Sequence, residues 1–173
     1  MQSGTSPPNN LLRTRTLPDP TLRTVRSEDE SLLLEWANDG VVRANAFSTA
    51  PIEPQDHRRW FGAKLADRQC RIFIMEDDGG RPVAQIRFDL NGDEAEVDVS
   101  VAATARGRGF GAEIIRMGAR KLFDETAVQR LVALVKRENI ASMKAFLMAG
   151  FAVSEEIVRD GGTVSRLTLS RVA

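Results

Sequence analysis

Three glycines at alternate positions, interleaved with two arginines, form the stretch of this chain best suited to chemistry: Arg106-Gly107-Arg108-Gly109-Phe110-Gly111-Ala112. A β-prone run ends just before it and a helical pattern begins within it. Glycine lets a backbone approach a ligand closely and aim successive N–H groups inward. A helix start adds unpaired N–H donors and a partial positive charge. Arg106 and Arg108 add full charges, so the segment favours a di- or triphosphate-like anion. The bland alternative is a tight strand-to-helix turn carrying two solvated arginines. Gly107-x-Gly109-x-x-Ala112 also fits a dinucleotide-binding fingerprint. That fingerprint needs an acidic residue at the end of the next strand, where this chain has Lys136. Its glycines also follow β-hairpins rather than opening a βαβ unit. No GxxxxGK[ST] phosphate loop occurs in the sequence.

A second constellation lies about thirty residues on: Asn139, Ser142 and Phe146, followed by Gly150-Phe151. Spacings of three and four put the first three on one helix face. An amide, a hydroxyl and an aromatic in that order could line a long polar ligand, or simply be an N-cap, a surface serine and a core phenylalanine. Two carboxylates, Glu96 and Asp98, share one face of a strand, about 7 Å apart along it. Such a pair suits proton transfer, and equally suits a solvated strand face. His57, the only histidine, sits one turn before Trp60 and Phe61; a lone helical histidine is more often structural than catalytic.

Positioning these groups takes a regular alternation of elements. Residues 21–26 alternate as a first strand. Ser27, with Glu30 three residues on, reads as a capping box for a helix carrying Leu32, Leu33 and Trp36, stopped by Asn38-Asp39-Gly40. A second helix is expected over 54–66, with Trp60, Phe61 and Leu65 on one face. Runs at 71–75, 82–90 and 94–101, separated by turns at 77–80 and 91–93, predict an antiparallel meander. In the last of these Val97, Val99 and Val101 face one way and Glu96, Asp98 and Ser100 the other. A helix over 111–125, a nearly continuous apolar strand over 131–136, a helix over 140–149 stopped by Gly150, and a hairpin over 151–169 with a turn at Gly161-Gly162 complete a mixed α/β order.

Composition narrows the function classes. The 173 residues suit one domain with a substantial core, expected over 21–173 after a flexible, proline-bearing tail over 1–20. A transit peptide is the alternative reading of that tail, from its arginines, serines and threonines. Lys plus Arg and Asp plus Glu number 24 each, so no bulk charge draws the chain to nucleic acid or anionic membrane. The single cysteine, Cys70, cannot form an internal disulfide, which fits a reducing, cytoplasmic location. No apolar run approaches the roughly 18 residues needed to span a bilayer.

Taken together, the glycine loop and the Asn139-x-x-Ser142-x-x-x-Phe146-x-x-x-Gly150-Phe151 segment resemble the GNAT superfamily of N-acetyltransferases over residues 21–170. The first matches its R/Q-x-x-G-x-G/A pyrophosphate loop, and the second its other cofactor segment. The resemblance implies a mixed, mostly antiparallel sheet of about seven strands flanked by about four helices. It also implies a V-shaped splay between the central parallel pair. Acetyl-CoA would enter as co-substrate, with no metal, held by the residues from Arg106 to Ala112 and by Asn139, Ser142 and Phe146. Its pantetheine arm would run along the backbone at Val99 and Val101.

The implied chemistry is direct attack of a primary amine on the thioester, with Glu96 as first choice of base and Asp98 as second. The family usually has Tyr at the Phe146 position as the acid for the departing thiolate, and this chain contains no Tyr. With a thiol pKa of about 8.5, departure as the free thiolate at pH 7 costs only about 2 kcal/mol. Trp36, Asn38, Asp39, Arg43, His57, Trp60 and the run from Gln85 to Asp89 resemble, more loosely, the branch acetylating nucleotide-linked amino sugars in pseudaminic-acid pathways. It implies a substrate site in which Arg43 and His57 meet phosphate or nucleobase and Trp60 stacks. The competing expectations are a protein or peptide N-acetyltransferase and a non-catalytic acyl-CoA-binding domain. The expected partner is a small-molecule amine, nucleotide-linked in the preferred case, and homodimerisation is left open.

Overall fold

Strand alternation divides the sheet into an apolar face and a mixed face, and the helices sort accordingly. The computed structural model describes residues 20–159 and 162–172. The tail expected over 1–20 lies outside them except for Pro20, as does Gly161 of the last expected turn. The chain runs β1 (Thr21–Thr24), α1 (Glu30–Ala37), α2 (Gly40–Asn45), α3 (Pro54–Ala66), β2 (Cys70–Glu76), β3 (Pro82–Asn91), β4 (Glu94–Val101), α4 (Phe110–Glu125), β5 (Arg130–Lys136), α5 (Ile140–Met148), β6 (Ala152–Arg159) and β7 (Gly162–Ser170). The strands form one sheet in the order β1-β2-β3-β4-β5-β7-β6. Every neighbouring pair is antiparallel except β4 and β5. Among the described residues no helix is long and apolar enough to cross a membrane.

α4 covers the apolar face. Its buried positions, Phe110, Ile114, Ile115, Gly118, Ala119 and Leu122, recur at three and four residues and make one stripe. Gly118 is where the helix comes closest to the sheet: a Cβ there would lie 3.0 Å from two atoms of Ile86 and 3.2 Å from Phe88. Gly118→Val should therefore lower stability by about 1–3 kcal/mol through overpacking, which the few tenths regained in helix propensity do not offset. Urea denaturation with an unchanged m-value would measure it, and a midpoint equal to wild type would show that the contact yields freely.

The opposite face carries α1 and α3. Cross-strand register sets Arg87 opposite Asp98 and Asp89 opposite Glu96, and α3 reaches this face through Lys64, which bonds Asp89 at 2.6 Å. Two local expectations needed correction. The capping box at Ser27 and Glu30 does not form. Residues Ser27–Asp29 make one tight turn; the Arg26 N–H donates to Asp29 Oδ2 at 2.7 Å, while Ser27 Oγ donates to Glu28. The acid half of such a box forms one residue earlier, with Arg26 as the N-cap and Asp29 three residues on. Nor does Asn38-Asp39-Gly40 only stop α1. Asp39 Oδ1 accepts from Val41 and Val42 N–H at 3.0 and 3.1 Å, and so starts α2, a fifth α-helix where about four were expected.

Candidate functional site

The sheet is open at one place. β4 and β5 pair only from Glu94↔Arg130 to Glu96↔Val132, although β4 runs on to Val101 and β5 to Lys136. β3 pairs with β4 along its whole length, and β7 with β5 along its own. The two central strands therefore splay beyond Glu96, and the splay leaves the β5-side backbone groups of Val97 to Val101 without a strand partner. Peptide groups in this state can pair with an extended amide-bearing ligand. This is the geometry that the resemblance implied.

The glycine loop lies at the open end of β4. Gly107 and Gly109 take left-handed conformations, with φ of +72° and +90°, which side-chain-bearing residues adopt at a cost. Gly109 is the N-cap of α4, and no side chain caps this helix, so its first-turn N–H groups retain free donor capacity beside the positive end of the helix dipole. Behind the loop, an added Cβ at Gly111 would lie 3.5 Å from Ala145 of α5 and 3.8 Å from Val101 of β4; the three elements converge there. Arg108 is exposed, its guanidinium 4.9 Å from the Phe110 ring centroid. Phe110 itself is buried and Ala112 nearly so. An uncapped helix start behind two left-handed glycines, opening onto a splayed strand pair, fits a pyrophosphate with an extended amide arm.

The second segment divides. Asn139 Oδ1 accepts from Ser142 N–H at 3.1 Å and caps α5, the simpler of its two expected roles. Phe146 is buried edge-on to Phe151, with ring centroids 5.0 Å apart. Arg106 does not point freely from its loop: Nη2 bonds Asp39 Oδ1 at 2.5 Å. The hydrogen bond from Arg106, then the α2 N–H groups, hold the Asp39 carboxyl below the usual carboxylate range. A cavity of about 230 Å³ beside this pair is lined by Glu35, Trp36, Asp39, Val101, Thr104 and Arg106, among others.

On the mixed face a polar stripe flanks the splay. Glu96 and Asp98 are exposed. Asp98 accepts from Gln85 Nε2 at 3.2 Å and has Arg87 at 3.8 Å; Glu96 has no ion-pair partner among the described residues. Burial would raise the Asp89 carboxyl, but Lys64 and Arg87 together hold it below the ordinary range. Trp60 borders the stripe, partly exposed, with the Arg87 guanidinium 5.2 Å from its ring centroid. Burial pushes the Cys70 thiol up to about 11, so it is a neutral core group at physiological pH.

Of the three residues expected at the substrate site, Arg43 is engaged by backbone carbonyls and His57 is enclosed. Arg43 donates to the carbonyls of Ala37, Ser48 and Ala50 at 2.6, 3.0 and 3.3 Å, fastening the loop after α2. His57 is 2% exposed and lies against Phe61, its Nδ1 without a hydrogen bond and 3.6 Å from Glu30. The contacts made by Asp39 and Lys136 were not foreseen from the sequence. Lys136 Nζ donates to the Ala46 carbonyl at 2.6 Å, tying β5 to the end of α2. Asp39 had a local signal, an Asp followed by a helix-compatible run; Lys136 had none, because its partner is a backbone carbonyl distant in sequence.

The model of the acetyltransferase (GNAT) domain family matches residues 20–152. The fold is similar to that of spermidine N-acetyltransferase from Vibrio cholerae in complex with CoA and spermine, with a TM-score of 0.80 and 19% identity over 87% of this chain and 95% of that one. It is also similar to aminoglycoside acetyltransferase AAC(6')-Ib in complex with coenzyme A and kanamycin, with a TM-score of 0.77 and 18% identity over 88% of this chain and 95% of that one. Among curated proteins none matches the sequence.

Proposed function

Because the chain belongs to the GNAT acetyltransferase family, we propose that it is an acetyl-CoA-dependent N-acetyltransferase acting on a primary amine of a small, cationic acceptor. The observation that carries this reading is the splay of β4 from β5 beyond Glu96, with the uncapped α4 start at its open end. Acetyl-CoA, when bound, supplies the activated acetyl group. Arg108, the glycine loop and the first turn of α4 hold the phosphates, and β4 beyond Glu96 offers backbone donors and acceptors to the pantetheine arm. Glu96, exposed and without an ion-pair partner among the described residues, takes the proton from the acceptor's ammonium. Backbone N–H groups freed along β4 hydrogen-bond the thioester oxygen as it gains charge. Phe146 has no proton to give, so the sulfur leaves as thiolate or takes a proton from water.

A cationic acceptor is favoured by the carboxylates that have no ion-pair partner among the described residues near the splay and the adjoining cavity, Glu96 and Glu35. The solved structures of similar fold contain spermine and kanamycin, both small amines. A nucleotide-linked amino sugar is the second reading. Trp60 beside Arg87 supports it as a stacking platform for a base. Against it, the cation expected to meet phosphate, Arg43, has its guanidinium tied to three carbonyls.

Acetyl transfer assayed side by side on spermidine, kanamycin, a UDP-linked amino sugar and a short peptide separates these readings. Preference for the first two is expected. Preference for the nucleotide-linked sugar or the peptide would replace the acceptor assignment. Tight acetyl-CoA binding without transfer to any amine would favour a non-catalytic acyl-CoA-binding role.

A further inference from the structure

Arg106 belongs to the glycine loop, yet its guanidinium is held by a helix on the other side of the β4 end. The Asp39 Oδ1 that it bonds at 2.5 Å also accepts the Val41 and Val42 N–H groups that start α2. At its other end α2 is held by Lys136, which donates to Ala46 at 2.6 Å. α2 is therefore strapped at its start to the loop after β4 and at its end to the last residue of β5, the two arms of the splay. Arg108 makes no such tie and lies over Phe110.

We propose that Asp39 is a positioning residue that competes with the cofactor pyrophosphate for Arg106, so that acetyl-CoA binding frees the start of α2. The proposal rests on the assignment of the glycine loop to acetyl-CoA. The guanidinium fork fits a carboxylate and a phosphate alike. A pyrophosphate carries more charge than Asp39 and is drawn to the same place by the α4 N-terminus, so it wins the arginine. Asp39 then loses both its countercharge and its anchor to the loop, so the first turn of α2 that it caps is held less firmly. The cavity it shares with Glu35 and Trp36 becomes more negative when Arg106 is drawn to the cofactor, which couples the cofactor loop to the face where a cationic amine is received.

The test is calorimetric titration of CoA into wild type, Asp39→Asn, Arg106→Gln and the double variant. Asn preserves an N-cap and removes the competing charge. A partly exposed ion pair of this kind corresponds to about 2- to 5-fold in affinity, so Asp39→Asn should bind CoA about 2- to 5-fold more tightly. Arg106→Gln should bind about 10-fold or more weakly, and adding Asp39→Asn to it should change nothing further. Unchanged or weaker CoA binding by Asp39→Asn, or the same gain in the Arg106→Gln background, overturns the proposal. A second measurement needs no variant: CoA should speed amide hydrogen exchange at Val41 and Val42 in the wild-type chain, and slower or unchanged exchange overturns it. Wild type that does not bind CoA would remove the loop assignment and this inference together. Wild type that binds CoA with an unaffected Asp39→Asn would remove the inference alone.

Discussion

Gly109→Asp is expected to weaken acetyl-CoA binding by about 100-fold or more while leaving a folded protein. Gly109 is the N-cap of α4 at φ +90°, and the helix N–H groups behind it are the donors a pyrophosphate would use. A carboxylate at this position occupies those donors and repels phosphate. Charge-assisted hydrogen bonds contribute about 1.5–3 kcal/mol each, so losing two exceeds the roughly 2.7 kcal/mol that corresponds to 100-fold. Stability moves much less, because two effects oppose each other. The left-handed conformation costs a side-chain-bearing residue about 1–2 kcal/mol, and an Asp N-cap returns about a few tenths of a kcal/mol over Gly. Gly109→Ala carries the strain without the charge and should lose only a small part of the affinity. Calorimetry on both variants, with thermal melts to establish folding, makes the measurement. Equal CoA affinity in folded Gly109→Asp would mean that phosphate is bound elsewhere.

Glu96→Gln should lower kcat by about 100-fold or more and leave the KM for acetyl-CoA nearly unchanged, since the change preserves shape and lies away from the phosphates. Glu96 is the last β4 residue paired with β5, at the apex of the splay, where the reacting end of an extended cofactor would arrive under the proposed function. The rising limb of the rate-against-pH curve should flatten with it. Asp98→Asn should lose less, because Arg87 and Gln85 already engage that carboxylate. Both variants running at the wild-type rate with an unaltered profile would move the base to another group. Glu35, which lines the cavity beside the open end of β4, would be examined next; His57, at 2% exposure, is too deeply enclosed to meet an acceptor in this conformation.

The two variants draw on different kinds of information. Gly109 was visible in the sequence because its constraint is local: alternate glycines between a strand and a helix leave few other uses, and the structure gives Gly107 and Gly109 the left-handed torsions that pattern requires. Helix α3 was legible over its full span, Pro54–Ala66, because proline at a helix start and a repeating apolar face both act within a few residues. β4 was legible for the same reason, its valines and carboxylates alternating at the strand period. What the sequence misjudged locally, the cap at Ser27 and the missed start of α2, turned on which side chain captured a backbone donor: Asp29 took the Arg26 N–H and Asp39 took those of Val41 and Val42.

By itself, then, the sequence determined the element order, the phosphate-suited loop and the candidate carboxylates, because periodicity and backbone torsion are properties of short segments. Only the tertiary structure decided which side chains are left free to act. Arg43, Arg106 and Lys136 are each a cation with several polar groups within reach of a long, flexible stem. Which partner each takes, the Ala37 carbonyl, the Asp39 carboxylate or the Ala46 carbonyl, depends on how helices and strands far apart in the chain come to lie against one another. The splay itself is of this second kind: it exists because β3 and β7 hold β4 and β5 on their outer sides while nothing pairs them beyond Glu96 and Val132, a property of the sheet that neither strand carries alone.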